Sequence, residues 1–427
     1  MIRWRIILPM SATSVPAPVL TFEDARRVVD EQAALIPPGE TEIVDLLAAA
    51  GRVLAEPVVA DRDFPPFPRS TRDGYAVRSA DLANLPATLD VIGEIKAGEK
   101  SDRILAGVGV GQAVSIMTGA PVPSGADAVV MVEYTTQKAK SVEIRRVAGP
   151  GENIVPRGAE ARQGSTLVNR GTRMNEASIA LAASAGRSQL PAYKRPRIAV
   201  LTTGDEIVSI TTVPGPTQIR NSNSYSLATQ IRDAGGTPIL LPVAPDEPQR
   251  LRNWIEEGLK SDLLLMTGGV SMGRYDLVEQ VLTEMNAEFF FTGAKIQPGR
   301  PVVFGKCPTG IPERPVTYFF GLPGNPVSTI VTFELFARPM LAALTGMSRS
   351  KLQFVYARLN SEIHVKPGLK RFLPANLAGE FENSYVELVP WQGSGDVAAT
   401  ARANCYVVIP PHRDRIPPGE FVAVLMR

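Results

Sequence analysis

Residues 262–276 read DLLLMTGGVSMGRYD. An apolar run of strand length stops at two glycines, carries hydroxyls on either side of them, and ends in an aspartate. Glycine exposes backbone and hydroxyls donate hydrogen bonds, a combination that suits an anion. A carboxylate a few residues on suits an anion only if a cation stands between them. The stretch YDLVEQVLTEM that follows has helical apolar spacing. The same strand–loop–helix order recurs as RIAVLTTGDE before NSYSLATQIRDAGG, TPILLPVAPD before EPQRLRNWIEEGL, and VTYFFGLPGN before PVSTIVTFELFARPMLAAL. Strands alternating with helices at this spacing predict βαβ units and a parallel sheet.

The flanks have a different character. Thr21 and Asp24 form a capping-box pattern ahead of the amphipathic FEDARRVVDEQAAL. TEIVDLLAAAGRVLAEPVVA reads as helix then strand, and the proline-rich DRDFPPFPRSTRDGYAV as an ordered loop. Short strands and turns fill residues 85–147, MNEASIALAASAG is a helix, and LPAYKRPR is a linker. From about residue 350 the pattern is strand and turn again, a small all-β module.

The chain has 427 residues, which predicts more than one domain. With 45 basic and 43 acidic residues the net charge is +2, so no bulk charge attracts nucleic acid or an anionic membrane. Any anion site is local. Cys307 and Cys405 are the two cysteines and His364 and His412 the two histidines, which leaves little for a disulfide framework, a zinc site or a histidine triad. The opening MIRWRIILPM breaks at Pro9, short of the ~7–15 apolar residues of a signal segment, and reads as a tail or an over-long start before Met10. No run approaches the ~20 apolar residues of a membrane span. The expected location is cytoplasmic.

In an open α/β sheet, ligands bind at the carboxyl ends of the strands. Three such ends carry unusual chemistry here. TTGDE offers Thr203, Gly204, Asp205 and Glu206. TGGVSMGRYD offers Gly268, Gly269, Ser271, Gly273 and Asp276. GLPGNP offers Pro323, Gly324, Asn325 and Pro326, an N-cap and N1 pair that aims a helix N-terminus at the rim. RNSNSY adds Asn221, Ser222, Asn223 and Ser224, and QPGRP adds Pro298, Gly299 and Arg300. Each motif alone also reads as a tight turn, a helix start or a cap. Together they describe a rim for a polar, phosphate-bearing heterocycle. Asp205, Glu206, Asp246 and Asp276 would repel one another there, and Mg²⁺, which bridges carboxylates to phosphate, resolves the conflict.

FPRSTRDGYAV, IMTGAPVPSGADAVVMVE, TTGDEI, NSNSY, TGGVSMGRYD, QPGRP and GLPGNPVS stand in the order found in molybdopterin molybdenumtransferases. The chain resembles that family, which takes in the bacterial molybdenum-insertion enzyme and the E domain of gephyrin, from about residue 20 to the end. The resemblance implies an α/β multidomain fold: a tail over 1–15, a discontinuous helical and linker segment over 16–60 and 155–193, an inserted β-rich lobe over 61–154, a parallel-sheet α/β domain over 194–345, and a small β-barrel over 346–427. It implies insertion of molybdate into adenylylated molybdopterin with release of AMP, dependent on Mg²⁺. It also implies a homodimer with shared active sites and a transient contact with the upstream molybdopterin adenylyltransferase. By motif, Asp73 and Thr118 come from the partner subunit, and Glu206, Asp246 and Asp276 line the α/β side as catalytic and metal-holding carboxylates. Lys295 and Arg300 bind pterin phosphate or molybdate, with Ser328, Lys370 and Ser394 completing the substrate site and Arg157 and Glu160 an oxyanion site.

The chain departs from the family pattern in its positive charges. Val155, Leu369, Pro374, Ser115 and Gln297 stand where basic residues are usual, Lys370 and Arg371 are shifted, and Glu160 replaces an aspartate. Two other readings remain at this point: a paralogue that binds molybdopterin without inserting molybdate, and a molybdopterin adenylyltransferase. The long N-terminal third argues against the second.

Overall fold

The computed structural model describes residues 17–37, 39–98, 107–269, 277–347 and 351–427. Two compact units divide the chain. One gathers the chain up to Glu42, Gly51–Ala55 and Ala192–Arg427; the other gathers Ile43–Ala50 and Glu56–Pro191.

The first unit holds a six-stranded sheet in the order Thr237–Leu240, Arg197–Thr202, Leu263–Thr267, Arg314–Leu322, Val303–Ile311, Glu288–Phe291. The first four strands are parallel. Val303–Ile311 runs antiparallel to both its neighbours, so beyond the expected parallel strands the sheet is mixed. The cause is local: Ile311 pairs with Arg314, and so tight a turn joins antiparallel strands, whereas a parallel neighbour needs a long crossover. The central strands are buried on both faces. Ile198, Val200, Leu263 and Leu265 enter one core, and Ala199, Leu201, Leu264 and Met266 the other. From Arg197–Thr202 the chain moves first to one side of that strand and then to the other, which puts the topological switch between Arg197–Thr202 and Leu263–Thr267.

A five-stranded barrel closes the same unit. Lys370–Ala378 pairs with Tyr385–Leu388 on one side and Cys405–Ile409 on the other, and Phe354–Leu359 and Phe421–Met426 complete the ring. Phe22, in the helix Phe22–Ala33 capped by Thr21, ties the parts together. Its ring lies 6.0 Å from Phe336 of the α/β layer and 5.3 Å from Phe372 of the barrel. Ile296–Gln297 also pairs in parallel with Lys370 and Arg371 of the barrel.

The segment Pro326–Leu344 is long and apolar enough to cross a membrane by length and composition, but 78% of it is buried as a core helix. It widens into a π-turn at Phe333–Ala337. Pro339 lacks the N–H that would bond the carbonyl four residues back, at Leu335. Arg26 Nη1 donates to that carbonyl at 3.2 Å instead.

In the second unit a sheet runs Ala128–Met131, Gly74–Val77, Gln112–Ile116, Ala87–Ile95, Ser141–Ile144, Thr135–Lys138. Two stretches differ from expectation. Thr41–Asp45, which opens the segment read as a helix, is a strand that carries the β-branched Thr41, Ile43 and Val44. Gly74–Val77, read as part of a loop, lies between two strands of the sheet. A Cβ at Gly74 would sit 1.9 Å from the Val130 carbonyl oxygen, so glycine alone permits that pairing.

Arg26→Ala should destabilise the first unit by about 1–3 kcal/mol, the cost of a buried carbonyl left without a donor. In a Pro339→Ala background, which restores an N–H for Leu335, the same change should cost less. Urea melts of the four proteins measure this, and an equal cost in both backgrounds would show that Arg26 acts elsewhere.

Candidate functional site

The register of the parallel strands sets three loops side by side. Thr202 is the partner of Thr267, and Thr267 of Leu322, so the chain leaves the sheet at one level after each strand. Thr267 is fully buried. Its hydroxyl accepts from Asn223 Nδ2 at 2.9 Å and donates to the Pro323 carbonyl at 3.1 Å. Asn223 Nδ2 also donates to the Gly324 carbonyl at 2.7 Å. The second loop is thereby bonded to the third and to the first turn of the helix Asn223–Asp233. A parallel knot lies beside it. Thr202 Oγ1 and Ser224 Oγ are 2.8 Å apart, and Asn221 Nδ2 donates to Ser224 Oγ at 2.9 Å.

Gly268 and Gly269 both have positive φ, at 90° and 61°. A Cβ on Gly268 would meet the Thr203 carbonyl oxygen at 2.4 Å, so the first two loops touch backbone to backbone. Among the described residues the buried Thr203 Oγ1 and Asn223 Oδ1 find no hydrogen-bond partner, an uncommon cost that a ligand-binding rim explains. Ser222 is exposed and Ser224 buried. Ser271, Gly273 and Asp276 lie outside the described residues.

Acidic groups gather where the first loop meets the loop after Thr237–Leu240. Asp205, Glu206 and Asp246 are exposed, and the Asp246 N–H donates to Asp205 Oδ1 at 3.2 Å. The Glu206 carboxylate folds over Gly204, whose φ of 132° keeps that side open. Partial loss of solvent, and then the charges on Asp205 and Glu206, raise the Asp246 pKa above its ordinary value. Among the described residues no three histidine, cysteine, aspartate or glutamate side chains form a ready metal cage. The set still fits Mg²⁺, which keeps several waters and binds through one or two carboxylates plus substrate phosphate.

The third loop differs from its sequence reading. Asn325 stands at the N-cap of Pro326–Thr332 but does not cap it with its side chain. Its Nδ2 donates to Ser394 Oγ at 2.8 Å, and the Val327 N–H donates to the Ser394 carbonyl at 3.0 Å. The barrel loop thus occupies a helix end expected to face an anion. Ser328 is 4% exposed and faces into the helix layer. Lys295 and Arg300 are exposed, next to the cis Gln297–Pro298 bond and Gly299 with φ 100°. Lys370 pairs with Glu23 and lies 4.7 Å above the Phe22 ring, so it serves the seam between helix and barrel.

In the second unit, Thr118 grips Asp73. The Thr118 N–H and hydroxyl both donate to Asp73 Oδ1, at 2.6 and 2.8 Å. These bonds, the backbone one first, hold the Asp73 carboxyl below its ordinary pKa. Arg157 Nε donates to Asp63 at 2.7 Å, and Glu160 accepts from Arg69 Nη2 at 2.6 Å, so these two expected oxyanion residues are each in an ion pair. Sequence reading passed over Thr202, Thr267 and Arg69. The signal for the threonines was present, a hydroxyl closing each of two apolar strands; for Arg69 there was none, because its partners are distant in sequence.

Three family descriptions match the chain in order: the MoeA N-terminal region (domain I and II) over residues 20–186, a probable molybdopterin binding domain over 199–343, and the MoeA C-terminal region (domain IV) over 356–426. A molybdopterin molybdenumtransferase from Nostoc is 36% identical over 90% of this chain and 88% of its own. The protein of that name from Bacillus subtilis is 33% identical over 96% and 94%. A crystal structure of the molybdopterin biosynthesis moeA protein from Pyrococcus horikoshii is similar with a TM-score of 0.70 at 31% identity, over 96% of this chain and 99% of that one.

Thr267→Val keeps the side-chain shape but removes the acceptor of Asn223 and the donor to Pro323. Stability should fall by about 1–3 kcal/mol, read from a denaturant melt. An unchanged melt would mean that the knot is not strained by the loss. Asp246→Asn should do the reverse. A carboxylate with a raised folded pKa contributes stability at low pH and loses it as pH rises through that pKa. The asparagine variant should therefore melt higher than the parent near neutral pH and equally in acid. A parent that is the more stable at neutral pH would show that the three charges do not repel.

Proposed function

Given that this chain belongs to the molybdopterin molybdenumtransferase family, we propose that it works by magnesium-dependent entry of molybdate into adenylylated molybdopterin, with AMP leaving. The chain is a transferase of molybdenum cofactor biosynthesis, and its task is molybdenum insertion. The observation that carries the finer reading is the level register of Thr202, Thr267 and Leu322, with two positive-φ glycines at the switch point and carboxylates beside them.

The chemistry follows from the residues. Gly268 and Gly269 let a phosphate approach the backbone, and the Thr203 hydroxyl and Asn223 amide oxygen offer it and the heterocycle unmet polar atoms. Lys295 and Arg300, both exposed, would add positive charge for the phosphate. Asp205, Glu206 and Asp246, with Asp276, would hold hydrated Mg²⁺, whose charge neutralises the phosphate that leaves with AMP. Asp73 stays ionised through the neutral range. Both Thr118 bonds land on Oδ1, which leaves Oδ2 to orient a ligand.

The family resemblance supports a homodimer in which Asp73 and Thr118 of one protomer serve the α/β site of its partner. It also supports a transient contact with the upstream adenylyltransferase. Two buried free cysteines suit the reducing cytoplasm, where we place the protein.

Release of AMP from adenylylated molybdopterin, followed while molybdate is titrated with and without Mg²⁺, tests the reading. Release should need both. Asp73→Ala and Asp276→Ala should each lower it by about 100-fold or more, in line with loss of a positioned catalytic group. Mixing the two inactive variants, with subunit exchange confirmed, should restore one working site per mixed dimer. Release independent of molybdate would sink the insertion reading; no recovery on mixing would sink the shared site.

A further inference from the structure

The short strand Arg69–Ser70 lies between two other segments of its unit. On one side it pairs antiparallel with Ile154–Val155, with Val155 directly opposite Arg69. On the other, Arg69 bridges Pro121, the Ser70 N–H donates to the Ala120 carbonyl at 3.0 Å, and the Gly119 N–H donates to the Ser70 carbonyl at 2.8 Å. The backbone of Arg69 is therefore fixed beside the turn that carries Thr118, the residue that grips Asp73.

Its side chain is 42% exposed. Nη2 donates to Glu160 Oε1 at 2.6 Å, and Nε is buried with no acceptor among the described residues. Guanidinium presents five donors in a planar fork that matches oxyanion geometry, and a single carboxylate oxygen occupies one of them. Arg157, the residue that the family resemblance assigns to an oxyanion, is held through its Nε by Asp63. Val155 brings neither charge nor acceptor to the face it shares with Arg69. Stability does not account for the pair, since ion pairs this exposed contribute little.

We propose that Arg69 binds an anionic oxygen group at the Thr118 end of this unit, and that Glu160 is a positioning residue that aims the guanidinium. This rests on the functional reading above, in which the substrates bring two such groups, the free oxyanion and the phosphates of the pterin nucleotide. Glu160 then acts through Arg69 rather than as a ligand of metal or molybdate.

The test uses the full-length protein and AMP release, with molybdate and adenylylated molybdopterin varied in turn. Arg69→Ala should raise the half-saturating concentration of one substrate by about tenfold or more, the usual loss for a charge-assisted hydrogen bond, with an unchanged melting temperature. A rise confined to molybdate assigns the free oxyanion; one confined to the pterin nucleotide assigns phosphate. Glu160→Gln should shift the same constant less, and Glu160→Asp hardly at all. Val155→Arg, placed on Arg69→Ala, should recover part of the loss, because opposite residues of an antiparallel pair project to the same face. Unchanged constants for both substrates, or a loss that tracks a lower melting temperature without rescue by Val155→Arg, would overturn the proposal. If the parent releases no AMP at all, the reaction reading fails by itself. Calorimetric titration of molybdate and of inorganic phosphate into parent and Arg69→Ala then decides on Arg69, and equal heats would reject it.

Discussion

One buried hydroxyl, that of Thr267, holds the site's loops in relation to one another. It is acceptor for Asn223 and donor to the Pro323 carbonyl, at the level where three strands end together. With no solvent available to it, each of these bonds has to be made within the fold, because an unmade one costs its full desolvation. The hydroxyl has one donor and two acceptor directions, so the geometry of Asn223 and of the third loop is set jointly. The glycines on its C-terminal side complete the constraint, since a side chain at Gly268 would collide with the backbone of Thr203.

The acidic rim and the polar knot are opposite solutions to one problem. The knot satisfies most of its polar groups internally, with no ligand needed to complete these bonds. The carboxylates of Asp205, Glu206 and Asp246 gather without a cation partner among the described residues, and partial burial, with the charges of Asp205 and Glu206 after it, raises the pKa of Asp246. Such a cluster of like charge lowers stability in the free protein and is relieved when a cation binds, which couples ligand binding to the fold. Rigid hydrogen bonds place the loops, and unrelieved charge gives the loops something to bind.

Much of this was legible in the sequence. The repeated order of apolar run, glycine loop and amphipathic helix is a local signal, so the α/β layer and its ligand-bearing loops could be read directly. Thr21 capping its helix was equally local. What was missed depends on pairing across the chain. Gly74–Val77 is four residues with prolines shortly before it, and only its two neighbours in the sheet make it a strand. The composition of Val303–Ile311 does not say whether it runs parallel or antiparallel, and the turn at Ile311 and Arg314 decides. Asn325 has the sequence of a capping residue, yet Ser394, 69 residues on, claims its side chain. The ion pairs of Arg69 with Glu160 and Lys370 with Glu23 join residues that no spacing rule connects.

The π-turn at Phe333–Ala337 has a consequence for rotational phase. Each residue of an α-helix advances the chain by about 100° around the axis, so one residue more or less in a turn swings everything beyond it by that angle. The half that begins at Pro326 ends on the barrel loop, through Val327 and Asn325. The half that ends at Leu344 is packed in the core through Met340 and Leu341. The widened turn is where the two azimuths are reconciled. Deleting a single residue within it would restore regular helix with both halves near their present azimuths, whereas deleting one from the regular turns on either side would point Asn325 roughly a quarter-turn away from Ser394.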